Sequence, residues 1–284
     1  MPEGPEIRRA ADRVFKGVGG VPVAIVFHLP ELAPWNDLFE STRIERIETR
    51  GKAMLTWLTG GYVLYSHNQL YGRWEVLAQN KTSRSRRSLR LEIRSASHTA
   101  RLLSATDIAI LHEDDLHEHP FLKKLGPDAL DLAVTPALVR KRLSDKAWKN
   151  KRLASLYLDQ AFIAGIGNYL RSEILFVSGV DPMKRASSLT KPQIKKLADS
   201  TLAITRRSLE TGGVTLDAVR AKRLQREGLS RRQRRHFVFG RAGQPCFVCE
   251  AIIERIDVGG RAVFVCPQCQ CTPAYVEPVR KSRG

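Results

Sequence analysis

The sequence predicts an α+β protein, with a β-rich N-terminal half, a helical second half and a small cysteine-rich module. Three observations support this class. Short apolar runs, several separated by turn-prone residues, fill the first half of the chain. From residue 135 onward, the apolar residues recur mainly at helical spacing. All five cysteines follow residue 245, and four of them form two closely spaced pairs.

The first half begins with an amphipathic helix, predicted over residues 3–16. Ile7, Ala10, Ala11 and Val14 recur at helical spacing, with charged residues between them. Short β-rich runs follow, and many short strands at this spacing predict a β-sandwich or barrel. These predicted strands cover residues 23–27, 43–48, 53–58, 62–66, 89–93 and 101–103.

The second half follows a predicted linker over residues 111–127. One predicted helix begins at Thr135-Pro136. Three more are predicted over residues 152–160, 169–177 and 191–210. Gly165 and Gly167 allow a sharp turn between two helices, which would place Asn168 as the N-cap of the second. A helix N-terminus with its unpaired N–H groups can bind phosphate, although such a corner also arises from plain packing.

The charge of the chain indicates a polyanionic partner. Lys plus Arg number 47 against 29 for Asp plus Glu, which gives a net charge of +18. Nucleic acid is the first expectation, and a ribosome-associated protein or a solvated basic surface are the alternatives. Residues 220–235 carry eight basic side chains and one acid. The N-terminus lacks the apolar stretch of a secretory signal, and no run of about 18 apolar residues occurs, so we expect a cytoplasmic protein that does not associate with a membrane. We also expect it to be monomeric and to be associated with the nucleoid when it acts.

The four paired cysteines predict one structural zinc ion per chain. Two residues separate the members of each pair, and sixteen residues separate the pairs; the four residues are Cys246, Cys249, Cys266 and Cys269. This is the spacing of a tetrahedral zinc site, with disulfides or a redox pair as the alternatives. Cys271 is left over.

A β-hairpin is predicted between the two cysteine pairs, because Gly259-Gly260 separates two apolar runs. Arg261 follows the hairpin tip, where its side chain can reach outward. The alternative is an ordinary solvated arginine.

The N-terminus offers a nucleophile. Initiator methionine is normally removed before proline, which would give Pro2 a free secondary amine. Such an amine can attack an aldehydic sugar carbon and form an iminium that acts as an electron sink. Glu3, its neighbour, could donate or accept a proton. The alternative is a simple helix start, where proline and acids are favoured.

Six segments of the chain resemble the formamidopyrimidine-DNA glycosylase family, and within it the endonuclease VIII group. They are MPEGPEIRRAAD, ETRGKAML (48–55), YSHNQLYGRW (65–74), HPFLKKLGPDAL (119–130), LDQAFIAGIGNYLRSEIL (158–175) and GRAVFVCPQCQ. The resemblance implies a base-excision-repair enzyme that acts on damaged double-stranded DNA as both glycosylase and AP lyase.

The resemblance also implies roles for individual residues. Pro2 would be the Schiff-base nucleophile and Glu3 the proton donor during base loss. Lys52 would donate a proton at β-elimination and Arg261 at δ-elimination. Residues that would contact DNA are Gln69, Leu70 and Tyr71, which would fill the gap left by the flipped nucleotide, and Lys124 and Asn168 at the backbone phosphates. At Lys124 the family has an arginine, so the bidentate geometry is lost there.

The implied architecture is a β-sandwich catalytic domain, a helix–two-turns–helix domain and a zinc finger. The predicted boundaries are 1–120 for the sandwich, 121–134 for a linker, 135–236 for the helical domain, 237–271 for the zinc finger and 272–284 for a basic tail. Residues 211–236 depart from the family pattern. The motifs favour oxidised pyrimidines such as thymine glycol. Excision of 8-oxoguanine or formamidopyrimidines is one alternative, and a non-catalytic zinc protein that binds DNA is another.

Overall fold

The structure, a computed structural model, describes residues 2–271 and divides into two compact units. The first unit contains the chain up to Asp131 together with Gln160–Ile166, and the second contains Leu132–Asp159 and the chain from Gly167 onward. The predicted basic tail, residues 272–284, lies outside the described residues. The predicted domain boundaries divide the chain more finely than this, and they stay predictions.

The first unit is built from one helix and eight strands. Helix α1 spans Gly4–Val18, and its buried face includes the four apolar residues that predicted it, Ile7, Ala10, Ala11 and Val14. The strands are β1 (Pro22–Phe27), β2 (Thr42–Arg50), β3 (Ala53–Leu58), β4 (Tyr62–His67), β5 (Arg73–Ala78), β6 (Leu89–Arg94), β7 (His98–Leu103) and β8 (Asp107–His112). Short 3-10 helices cover Pro30–Trp35, Glu113–Glu118 and Leu122–Lys124.

The eight strands form two antiparallel halves around one core. Their hydrogen-bonded order is β5-β7-β6-β1-β2-β3-β4-β8. The two halves are joined where β1 pairs with β2, with Pro22 opposite Arg43 and Val23 opposite Thr42. Side chains of both halves, such as Ile93 of β6 and Met54 of β3, share one buried cluster with α1. This two-layer arrangement agrees with the predicted β-sandwich and flanking helix.

Two strands were missed by the sequence prediction, β5 and β8. Both are the outermost strands of the sheet, and most of their residues are only half-buried. Because an edge strand buries less apolar surface, its sequence alternates less clearly between apolar and polar residues, and the strand is harder to predict. The linker predicted from residue 111 was therefore wrong at its start, since β8 continues to His112.

The second unit is mainly helical. Its helices are α2 (Pro136–Ser144), α3 (Leu153–Leu156), α4 (Asn168–Ser178), α5 (Lys191–Glu210) and α6 (Ala218–Arg226), with a 3-10 turn at Ala186–Ser188. Helix α5 has the predicted bounds. The helix predicted over residues 152–160 was wrong in its extent, because after α3 the amides of Leu158 and Asp159 bond three residues back and form turns.

A two-stranded hairpin completes the second unit. Strand β9 (Glu254–Val258) pairs with β10 (Arg261–Val265), and Gly259-Gly260 form the predicted tip. Both glycines have positive φ, 61° and 74°, which is the backbone of a tight two-residue hairpin turn. Across residues 2–271, the helices all fall short of the length and apolar character that a bilayer span requires.

Candidate active site and nucleic-acid interface

The N-terminal residues are held in place by the segment Ala164–Gly165. Glu3 is 2% exposed and caps α1, its N–H donating to Glu6 Oε2 at 3.2 Å. The next amide, of Gly4, donates to the carbonyl of Gly165 at 2.8 Å. A Cβ on Gly4 would lie 3.1 Å from the Cα of Gly165, so a larger residue at position 4 would push the two backbone segments apart. Pro2 is half-buried and directly precedes Glu3, the N-cap of this anchored first turn of α1.

The turn that carries Lys52 is linked to the same segment through Asp128, which pairs with Ala164 in an isolated β-bridge. Gly51, at φ +63°, donates its N–H to Asp128 Oδ2 at 2.7 Å. A Cβ there would lie 3.2 Å from the Cβ of Ala164. Burial raises the pKa of the Asp128 carboxyl, although the amides of Leu130 and Gly51 donate to it. Lys52 itself is 6% exposed. The chain next to Glu3 and the chain next to Lys52 are therefore both tied to this region, through the Gly4–Gly165 bond and through the Gly51–Asp128 bond.

A cavity of about 520 Å³ borders Pro2, which is within the size range of small-molecule sites. Glu6 of α1 and Glu75 of β5 both line it. The Oε2 atom of Glu75 is buried, and among the described residues it has no hydrogen-bond partner. Sequence reasoning missed Glu75, because the edge strand β5 that carries it was not recognised.

The three predicted gap-filling residues form an exposed turn between β4 and β5. Leu70 is 62% exposed and Tyr71 69%. Gln69 adopts a φ of +47°, which is uncommon for a residue with a side chain. Its Oε1 accepts from Thr106 Oγ1 at 2.8 Å, and its N–H donates to His67 Nδ1 at 3.1 Å. The turn is therefore shaped before any ligand arrives.

The imidazole of His67 is part of this turn, and sequence reasoning missed it. Because Nδ1 accepts the Gln69 N–H, it carries no proton in this structure. Burial and the nearby ammonium of Lys52 lower the pKa of His67 below its usual 6.5, against an opposing effect of Asp107. The ring also packs on Phe121, with the ring centroids 5.0 Å apart.

In the second unit, one buried arginine connects a predicted DNA-binding residue, Asn168, with the strand next to a predicted catalytic residue, Arg261. Arg171, fully buried, donates from Nη2 to Asn168 Oδ1 at 2.5 Å and to the carbonyl of Ala262 at 2.9 Å. Ala262 adjoins Arg261, which is exposed at the start of β10. The prediction of Asn168 as N-cap was wrong: Gly167 is the N-cap and Asn168 the first helical residue, since the Asn168 side chain bonds to Arg171 instead.

The four paired cysteines form a metal site. Their sulfur atoms all lie within 4.8 Å of one another, with Cys249 at 3.4 Å from both Cys266 and Cys269. Sulfurs bound to one tetrahedral zinc are about 3.8 Å apart, given Zn–S distances of about 2.3 Å. The site therefore fits a closed, structural zinc, as predicted. The exposed Cys271 stands outside the cluster.

Basic side chains line the surface of both units. Lys124 is exposed at the end of a 3-10 helix. In the arginine-rich stretch, Arg231 and Arg235 donate to backbone carbonyls of residues 211–213. These two side chains therefore fix the backbone after α5 in addition to contributing positive charge. Lys222, Arg226 and Arg232 are exposed.

Comparison with known proteins identifies the family. The formamidopyrimidine-DNA glycosylase N-terminal domain matches residues 1–108, the H2TH domain of the same family residues 125–219, and the zinc finger found in FPG and IleRS residues 243–270. Endonuclease 8 of Klebsiella pneumoniae is 42% identical over 271 residues, which are 95% of this chain and 100% of the relative. Endonuclease 8 of Escherichia coli strain K12 is 41% identical over the same shares.

Solved structures agree on the fold. Lactococcus lactis Fpg in complex with DNA containing an abasic site matches with a TM-score of 0.77 at 22% identity, over 94% of this chain and 99% of that one. The same protein with DNA containing an oxidised pyrimidine matches with a TM-score of 0.77 at 23% identity, over 95% and 99%. The chain thus belongs to the formamidopyrimidine-DNA glycosylase family, as a base-excision-repair DNA glycosylase with a structural zinc finger and endonuclease 8 as a near relative.

Proposed function

We propose that this chain removes oxidised pyrimidines from damaged double-stranded DNA and then cuts the strand by β,δ-elimination, with Pro2 as the nucleophile. One observation carries the proposal. The Gly4 amide at the start of α1 donates to the Gly165 carbonyl, and the Gly51 amide donates to Asp128, which is bridged to Ala164. This shared support of the Pro2–Glu3 end and the Gly51–Lys52 turn favours the three residues as nucleophile, acid and ammonium of one site, and Pro2 lines a cavity.

The first step is base loss. After removal of Met1, the Pro2 nitrogen attacks C1′ of the damaged nucleotide, and the bond between C1′ and the base breaks. The base leaves with the bonding electrons and takes up a proton, for which Glu3 is the donor. The Pro2 nitrogen then loses its proton, the C1′–O4′ bond breaks with O4′ taking up a proton, and the nitrogen lone pair forms a cationic iminium with C1′ of the opened sugar. An α-amino group has a pKa of about 7.7–8.0, so part of it is already neutral at physiological pH.

The second step is strand cleavage. The iminium withdraws electrons, so C2′ loses a proton and the C3′–oxygen bond breaks with release of phosphate. A second proton loss, at C4′, then breaks the C5′–oxygen bond. In this proposal Lys52 supplies the proton for the first elimination and Arg261 for the second, and water hydrolyses the remaining imine to restore Pro2.

The remaining predicted residues hold the DNA. Gln69, Leu70 and Tyr71 enter the space that the flipped nucleotide leaves, which suits an exposed turn with apolar and aromatic side chains. Asn168 and Lys124 bind backbone phosphates. The Asn168 amide keeps its Nδ2 donors for this purpose, because its Oδ1 already accepts from Arg171.

Parallel excision assays test the substrate class. We expect release of thymine glycol from duplex DNA to be faster than release of 8-oxoguanine. The reverse order would favour the alternative, an 8-oxoguanine glycosylase of the same family. Cleavage of a duplex with a preformed abasic site tests whether the chain is an AP lyase at all, since a protein that only binds DNA would leave that strand intact.

A further inference from the structure

The loop that joins β5 to β6 is strongly basic. Its ten residues, 79–88, read QNKTSRSRRS. They contain four basic side chains, Lys81, Arg84, Arg86 and Arg87, all of them exposed. From Val76 to Leu91 the sequence has no acid that would offset this charge.

This loop contacts the gap-filling turn directly. The Nη1 atom of Arg87 donates to the backbone carbonyl of Tyr71. Serine side chains shape the loop just before it, since the Arg87 amide donates to Ser85 Oγ at 3.3 Å and the Ser85 amide donates to Ser83 Oγ at 3.0 Å. The arginine therefore extends from a locally bonded segment.

The contact matters because the turn has little apolar packing of its own. Leu70 and Tyr71 are mostly exposed, so hydrogen bonds fix the turn. At the Gln69 end they come from Thr106 and His67. At the other end the Gly72 amide donates to the Asn68 carbonyl at 2.7 Å, and Arg87 contacts the Tyr71 carbonyl from outside the turn. A side chain that enters a base stack is pushed by the neighbouring bases, so its backbone must be held in place. The hydrogen bond from Arg87 to the Tyr71 carbonyl holds the backbone of the turn in this way.

We propose that loop 79–88 is a DNA-binding element of this enzyme with two functions. Arg87 is a positioning residue that braces the gap-filling turn, while Arg84 and Arg86 bind backbone phosphates beside the inserted side chains. Arg84 and Arg86 lie within three residues of Arg87, and three residues of extended chain span about 10 Å. The length of their own side chains extends the distance from Arg87 over which they can reach phosphates. This inference rests on the proposed gap-filling role of Gln69, Leu70 and Tyr71.

The bracing function is tested with Arg87→Ala, measured by single-turnover release of thymine glycol from duplex DNA and by cleavage at a preformed abasic site. We expect about a tenfold loss of base release, the order of one charge-assisted hydrogen bond, and a smaller loss at the abasic site. Arg87→Lys should recover part of the rate. Arg43→Ala is the matched control, because exposed Arg43 also donates from Nη1 to a backbone carbonyl, that of Gly20, at 2.7 Å.

The phosphate function is tested with Arg84→Ala/Arg86→Ala, by binding to a duplex with a non-cleavable tetrahydrofuran abasic analogue at several salt concentrations. Loss of two phosphate contacts should reduce the slope of log affinity against log salt by about 1.8. The double variant Lys16→Ala/Arg43→Ala removes the same charge elsewhere and should keep the slope. An unchanged slope in the loop variant, or an equal change in the control, would overturn this function.

Leu70→Ala separates a failure of this inference from a failure of the proposed function. If Leu70→Ala lowers base release and Arg87→Ala does not, Arg87 does not brace the turn and the gap-filling role stands. If Leu70→Ala itself leaves base release from duplex unchanged, the gap-filling role fails, and the bracing function fails with it.

Discussion

Arg171 and Asn168 are joined by a short hydrogen bond, 2.5 Å from Nη2 to Oδ1, inside helix α4. The same guanidinium donates to the carbonyls of Ala154, at 2.7 Å, and Ala262, at 2.9 Å. One buried cation therefore sets the direction of the Asn168 amide and fixes the strand position next to Arg261. Two groups proposed to contact DNA depend on a residue that solvent does not reach.

Arg171→Lys should damage both functions while keeping the charge. A lysine cannot donate to three acceptors in this planar arrangement, so buried carbonyls lose partners at a cost of about 1–3 kcal/mol each. We expect weaker DNA binding and a lower share of δ-elimination among the cleavage products, resolved by gel electrophoresis of end-labelled DNA. Asn168→Ala is the comparison, and it should weaken binding with an unchanged product ratio. Equal product ratios in both variants would contradict the link to Arg261.

Borohydride should trap a covalent adduct between enzyme and DNA, and peptide mapping should locate it at residue 2. In a variant with one residue inserted before Pro2, the Pro2 nitrogen becomes part of a peptide bond and cannot attack, so the variant should bind DNA but give no adduct at residue 2 and no cleavage. An adduct at Lys52 would refute the assignment. We expect none there, because lysine side chains in general have a pKa of about 10.4 and need a large downward shift to attack as the neutral amine.

Glu3→Gln should separate base loss from strand cleavage. Because the amide cannot protonate the leaving base, excision should fall by about 100-fold or more. Cleavage at a preformed abasic site should fall less, since no base leaves in that reaction. Excision and abasic-site rates, measured side by side, check this expectation. Parallel losses on both substrates would show that Glu3 acts in both steps or mainly in folding of the α1 start.

Cys249→Ser should remove zinc from the second unit. A structural zinc site supplies much of the folding energy of such a module, so β9 and β10 should lose their pairing and Arg261 its position. Metal content by atomic absorption should fall from one zinc per chain to near zero, with δ-elimination reduced. Cys271→Ser is the matched control, because this exposed cysteine lies outside the cluster. Full zinc content in Cys249→Ser would exclude a four-cysteine site.

His67 should make the gap-filling turn sensitive to acid. Its pKa is lower in the folded chain than the usual 6.5, so the unfolded chain binds the proton more readily. Neutral His67 therefore contributes to the free energy of unfolding in full above pH 6.5, and this contribution is lost as the pH falls through the lower pKa that His67 has in the folded chain. Protonated Nδ1 also cannot accept the Gln69 N–H. Release of thymine glycol from duplex should therefore fall more steeply below pH 6.5 than abasic-site cleavage, in a pH–rate series.

His67→Asn is the control for this pH dependence. An asparagine Oδ1 can accept the same N–H without titrating in this range. The variant should have a flatter profile for base release in acid. If the two proteins lose activity in parallel, another group controls the pH dependence.

Sequence patterns predicted the features that local chemistry determines. The periodicity of α1 and α5, the cysteine spacing and Gly259-Gly260 each specify a structure within a few residues. The two edge strands were missed because their burial depends on neighbours far along the chain. The contacts of Arg171 with Ala262, of His67 with Phe121 and of Arg87 with Tyr71 were missed for a similar reason, since each joins residues that only the fold brings together.

The first unit is not a contiguous stretch of sequence. Its N-terminal part ends at Asp131, yet the segment Gln160–Ile166, whose Gly165 carbonyl accepts from the Gly4 amide, comes from between two stretches of the other unit. A gene fragment that stops at Asp131 would encode Pro2, Glu3 and Lys52 but would lack the bond partner of Gly4 and the bridge partner of Asp128. We therefore expect that a gene cut at this boundary does not separate the chain into two complete folding units.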